Sequence, residues 1–111
     1  MVNEVFNELY ERTVRAYLDV LIMQELKNNS PKSTNELMEA INSKYSSNIS
    51  WGLLFASLIS MQKNGVIKEV SVNQKAIFEL SADGVQRVAL IADFTLQLKD
   101  FLKSLGKAAL I

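Results

Sequence analysis

Between Ser50 and Leu80 the apolar pattern changes period. Leu54, Leu58 and Met61 recur at steps of four and three, the spacing of one helix face. Lys75 to Leu80 then alternates, with Ala76, Phe78 and Leu80 on one side and Lys75, Ile77 and Glu79 on the other, the period of a strand. Ser50 is placed to cap the helix through its hydroxyl. Gly65 is placed to stop it in a left-handed conformation without a Cβ clash. Val66-Ile67 opens a first strand, and Asn73-Gln74 breaks the run between the two strands. A capped helix, a glycine stop and a short hairpin, in that order, form the second half of a winged helix.

Upstream, helical spacing begins after Asn3 and runs to about Lys27. Phe6, Leu9, Tyr10, Thr13, Tyr17, Val20 and Leu21 form one stripe, widened by Val14, Leu18 and Ile22. At roughly 24 residues this helix is about twice the globular mean. Its first two turns are therefore expected to serve as a dimer arm, a long core helix being the plainer alternative. Asn28 to Lys32 reads as a turn, with Pro31 preventing the helix from continuing. Ser33-Thr34-Asn35-Glu36 has the form of a capping box. Leu37, Met38 and Ile41 give the next helix its buried face, with its end near Ser43. Lys44 to Asn48 is a polar loop, and Ile49 is an apolar residue just ahead of the Ser50 cap.

Downstream, Ser81 caps a last helix whose positive end suits Asp83. It is expected to reach about Leu105, with Gly106 as its stop. Val88, Ile91, Thr95, Leu98, Leu102 and Leu105 keep a three-four spacing, the seam of a helix pair, with Leu90, Phe94 and Phe101 beside it. A small domain cannot cover that much apolar surface, and large exposed patches mark interfaces. The pattern predicts a homodimer, with Phe6, Tyr10, Val88, Ile91, Phe94, Leu98, Phe101 and Leu102 at its interface. A monomer whose two long helices cover each other is the alternative.

Composition changes this picture in three ways. The 111 residues suffice for one core but not two. The expected layout is thus a single, mainly α domain over 1–111: an N-terminal helix (1–27), a helix-helix-wing unit (33–80) and a C-terminal dimerisation helix (81–106). The absence of both histidine and cysteine removes the commonest general base, a leading nucleophile and the best transition-metal ligands. No glycine-rich phosphate loop appears either, so no enzyme and no cofactor are expected. Glu4, Glu8 and Glu11 share one helical face and Glu36 and Glu39 another. Acidic helix starts suit the dipole, so no metal site is needed to explain them. Finally, 12 basic residues balance 12 acidic ones, where a nucleic-acid binder often carries a basic excess. No basic start followed by an apolar core and no run of spanning length is visible, so a cytoplasmic location and no membrane partner are expected.

Ile49 to Leu58 resembles the recognition-helix signature of PadR-like winged-helix regulators. In that family a glycine precedes Thr-Leu-Tyr-Pro, and a further leucine follows four residues after the first. Here Gly52, Leu54, Phe55 (for the tyrosine) and Leu58 match, and Gly65-Val66-Ile67 stands for the family's Gly-Leu-Ile. Lys75 to Gly84 is similar to the second wing strand leading into Leu-Thr-x-x-Gly. The resemblance spans about residues 20–90, and small winged-helix proteins of archaeal viruses and plasmids share the pattern. It implies a transcriptional regulator, dimeric through its terminal helices, that binds double-stranded DNA with its recognition helix in the major groove.

On that basis the expected DNA contacts are Lys44, Asn48, Trp51, Ser57, Gln62, Lys63, Lys68 and Lys75. For Trp51, packing against the second helix or Tyr45 is the simpler reading. Three departures weaken the DNA reading: the wing is minimal, Asn73-Gln74 leaving little to insert into a minor groove, and two more lie in the recognition helix. The family tends to carry Lys-Arg where this chain has Ile59-Ser60, and Leu53 replaces a hydroxyl residue. They motivate a competing class, a winged helix that binds a protein partner at Leu53 and Ile59. A third reading is a sensor of planar compounds in a dimer-interface cavity lined by Phe6, Tyr10, Phe94 and Phe101, although their spacing alone reads as core or dimer seam.

Overall fold

A computed structural model describes residues 2–30 and 32–110. Six helices and one hairpin follow in order: α1 (Val2–Ala16), α2 (Leu18–Asn29), α3 (Thr34–Tyr45), α4 (Trp51–Lys63), β1 (Ile67–Val72), β2 (Lys75–Leu80), α5 (Ala82–Ala89) and α6 (Ile91–Leu110). The architecture is mainly α with a two-stranded antiparallel wing. No described helix is long and apolar enough to cross a membrane.

The core forms around α2, which packs against α3, α4, α5 and β2. Its apolar face, Leu18, Ile22, Met23 and Leu26, meets Leu37 and Ile41 of α3, Leu54, Leu58 and Met61 of α4, and Phe78 of β2. Each of these helices buries residues at three-four spacing, so burial of one stripe per helix holds the unit together.

Local signals set the boundaries. At α3 the capping box is complete: the Glu36 N–H donates to Ser33 Oγ at 3.2 Å and the Ser33 N–H donates to Glu36 Oε1 at 2.9 Å. The helix runs two residues past the expected end at Ser43 and closes on Ser46 in a left-handed conformation. At α4 the Leu53 N–H donates to Ser50 Oγ at 3.2 Å, and Gly65, at φ +75°, turns the chain into β1. The hairpin pairs Ile67 with Leu80 through Val72 with Lys75. Asn73 and Gln74 both have positive φ, as the two-residue turn matching strand twist requires.

Three larger differences from the sequence-based expectation concern where the long helices break or stop. The expected helix to Lys27 is two helices, because Tyr17 leaves helical geometry at φ −106°, ψ 19°. Thr13 Oγ1 donates back to the Leu9 carbonyl at 2.8 Å one turn earlier, a bond that favours bending. The last helix is likewise divided. Leu90 ends α5 with its N–H turned to the Arg87 and Val88 carbonyls, and α6 starts afresh at Ile91. Gly106 is no stop: α6 continues through it to Leu110, and a Cβ there would meet nothing within 4 Å. The expected role of Pro31 as a helix breaker lies outside the described residues; α2 ends at Asn29.

One tie was not anticipated. Lys32 and Phe78 exchange main-chain hydrogen bonds at 3.0 and 2.7 Å, fastening the α2–α3 connection to β2 as an isolated bridge. The wing root is therefore held from both sides.

Candidate nucleic-acid interface

The helix pair α3–α4 and the hairpin after it define the candidate site. Residues 46–50 connect the two helices, and one side chain fixes their path. Asn42 Nδ2 donates to the Ile49 carbonyl at 3.0 Å, while Asn42 Oδ1 accepts from the Ile49 N–H at 2.8 Å and from the Ser47 hydroxyl at 2.9 Å. Ile49 is itself buried. Both its main-chain groups would otherwise lack partners away from water, which is costly. From the far side, the Tyr10 hydroxyl of α1 donates to the Tyr45 carbonyl at the end of α3.

With Leu54, Leu58 and Met61 facing the core, the opposite stripe of α4 is set by helical geometry. It consists of Gly52, Ala56, Ile59 and Lys63, which follow the same four-three-four spacing two residues earlier and later, and all four are exposed. Trp51, Phe55 and Gln62 flank this stripe on one side, Leu53 and Ser60 on the other.

The expected contact residues fall into three groups. Lys63 lies in the outward stripe, with Gln62 beside it, and both are exposed. Asn48 is exposed in the α3–α4 loop, Lys44 is exposed at the end of α3 with its Nζ 5.6 Å from the Tyr45 ring centroid, and Lys75 is exposed beside the hairpin turn. Two residues are drawn elsewhere. Ser57 is half-buried and turns towards a cavity of about 200 Å³ shared with Asp19, Met23 and Arg87. Lys68 is paired with Glu79, its cross-strand neighbour, at 3.3 Å. Such exposed pairs are weak, yet this one draws the lysine along the sheet.

Trp51 does not pack into the domain. It is 47% exposed and stacks on Phe55, one turn along its own helix, with ring centroids 4.8 Å apart and planes at 8°. Gly52 and Ala56 were missed as outward-facing positions; their offset from Leu54 and Leu58 was the available signal.

The fold is a winged helix. Similar solved structures show the same arrangement. A transcriptional regulator from Clostridium thermocellum is 18% identical over 84% of this chain and 93% of its own, with a TM-score of 0.75. A PadR family transcription regulator from Clostridium difficile is 20% identical over 86% and 99%, with a TM-score of 0.61. A winged-helix DNA-binding protein from STIV is 17% identical over 73% and 88%, with a TM-score of 0.62. No family model and no curated protein matches the chain. At these identities the likeness establishes the fold.

The residues expected at a dimer interface divide. Val88 is buried in the chain's own core and Ile91 packs partly against it, so Val88 is used within the chain. Phe6, Phe94, Phe101 and Leu102 are exposed large apolar residues, Tyr10 is at the edge of exposure and Leu98 is half-buried. Of the aromatics expected to line a dimer-interface cavity, Phe6 stacks on Tyr10 and Phe94 tilts against Tyr17, each pair 6.3 Å between centroids. Within one chain, a cavity of about 420 Å³ between the end of α2, β2 and α5 and one of about 630 Å³ between α2, α5 and α6 are lined by none of the four aromatics. Among the described residues no cluster of carboxylates or other ligands is arranged to hold a metal ion.

Proposed function

We propose that the chain is a sequence-specific, double-stranded DNA-binding transcriptional regulator, working in the cytoplasm as a homodimer whose whole length, 1–111, acts as one winged-helix domain. The observation that carries this reading is the outward stripe of α4. It is exposed, it is carried on a helix whose start is fixed by Asn42 and Ser50, and it has a hairpin beside it. A helix presented this way fits the major groove, with the wing against the neighbouring backbone. Lys63, Lys44 and Lys75 are the available phosphate contacts, and Asn48 and Gln62 are amides within the same region. The PadR-like motif around Gly52 and the regulators sharing this fold support the same role.

Dimerisation is supported by the exposed apolar faces of α1 and α6, where Phe6, Leu9, Phe101, Leu102 and Leu105 lie open to solvent. Two copies joined there would present two α4 helices to successive half-sites.

A second reading rests on Leu53, Phe55 and Ile59, exposed apolar residues of α4, together with the zero net charge. In it, α4 docks onto a protein. Ile59→Lys separates the two. A DNA binder gains a phosphate or base contact and binds duplex DNA more tightly in fluorescence anisotropy. Unchanged absence of duplex binding in both forms removes the proposal.

A further inference from the structure

Resting on the DNA-binding reading above, we infer that α4 reads thymine methyl groups, so that the preferred sites are A·T-rich and recognised by apolar contact. The commonest specific contact to guanine uses an arginine or lysine fork on its O6 and N7. The three arginines of this chain are Arg12, Arg15 and Arg87. They lie on α1 and α5, and none is on α3, α4 or the hairpin. Of the outward stripe, only Lys63 carries a charge, at the last residue of the helix. The other side chains of the stripe offer a groove floor no hydrogen bond.

What the stripe does offer is a shallow apolar surface. Gly52 and Ala56 keep the α4 backbone free to approach, and a Cβ on Gly52 would meet nothing within 4 Å. Ile59 projects one aliphatic side chain beyond them, 36% exposed, with Leu53 and Phe55 alongside. In the major groove the thymine C5-methyl is the apolar group presented by the base pairs, and apolar side chains contact it. The amide available nearby suits the same sites. Gln62 can pair with adenine N6 and N7.

The test begins with duplexes selected by the full-length chain from a random-sequence pool at low ionic strength. The selected duplexes are resynthesised with uracil in place of thymine, which removes the methyl and keeps every hydrogen bond. The expected selection is A·T-rich. Losing one methyl contact in each of two half-sites weakens binding about tenfold. Ile59→Ser is expected to lose the preference for the thymine duplex over the uracil duplex. A selection that is G·C-rich, or equal affinity for the thymine and uracil forms with salt-dependent binding retained, overturns thymine reading and leaves the DNA-binding role standing. Failure to select any duplex overturns both and assigns the apolar face of α4 to a protein partner.

Discussion

Asn42 holds both main-chain groups of Ile49 with its one side-chain amide, at 3.0 and 2.8 Å. That pair of bonds links the last turn of α3 to the residue before the α4 cap, so the pitch of α4 against the rest of the fold depends on it. Asn42→Ala leaves the Ile49 N–H and carbonyl without partners. The expected cost is about 1–3 kcal/mol in urea unfolding. Asn42→Asp keeps the acceptor but removes the donor to the Ile49 carbonyl, and is expected to recover only part of that loss.

Glu36 gives the fold an acid-sensitive joint. Its carboxyl is held below the ordinary value, first by the Ser33 main-chain N–H, then by the Ser33 side chain, with smaller help from Lys32 and Lys75. A carboxyl depressed on folding contributes stability that is complete above its unfolded value and is lost as pH falls through its folded one. Wild type is therefore expected to melt above Glu36→Gln at neutral pH, and the gap is expected to close on acidification through the carboxylate range. A gap that stays constant with pH would show that the charge on Glu36 does not matter.

Two glycines predict opposite signs. A Cβ on Gly84 would stand 2.1 Å from the Val66 carbonyl oxygen, a main-chain atom already accepting from Ser81. Gly84→Ala is expected to destabilise by about 1–3 kcal/mol through overpacking. Gly106 lies within α6 with open space around it, so Gly106→Ala is expected to stabilise by about 0.5–1 kcal/mol. Thermal unfolding of both variants checks the pair.

The elements set by neighbours in sequence were legible in it. Ser33 with Glu36, Ser50, Ser81 and Gly65 act within a turn of their own positions, and the alternation from Lys75 to Leu80 fixed the hairpin. What was not legible depends on distant partners. Nothing near Tyr17 or Leu90 is a glycine or proline, and the breaks arise where a helix leaves the core for an exposed face. Gly106 resembled a stop because glycine often is one, but Lys107-Ala108-Ala109 are good helix formers and carry α6 onward. The Lys32–Phe78 bridge and the Asn42–Ile49 clamp join residues that no local spacing connects. In the candidate site, Lys63 and Gln62 were legible as exposed positions. Ser57 was not, because the cavity it lines is shared with Asp19 and Met23 of α2 and Arg87 of α5, residues that no local spacing connects to it.

The apolar faces of α1 and α6 predict the state of assembly. Light scattering on the purified chain is expected to give about twice its 12.5 kDa mass. Phe101→Asp with Leu102→Asp is expected to yield a folded monomer, since both side chains are exposed within one chain. A wild-type mass of one chain would leave those faces for another occupant.

The central claim is that α4 and the wing engage a duplex. It is tested most directly by anisotropy of labelled duplex DNA titrated with the protein across a salt series. With Lys44, Lys63 and Lys75 free on each of two protomers, about six phosphate contacts give a log-affinity slope near −5 against log salt concentration. The account predicts a steep slope of this order, reduced by about two when Lys63→Ala removes one contact per protomer. Flat curves, with no binding even at the lowest salt, would contradict it and show a winged helix whose outward face serves something other than DNA.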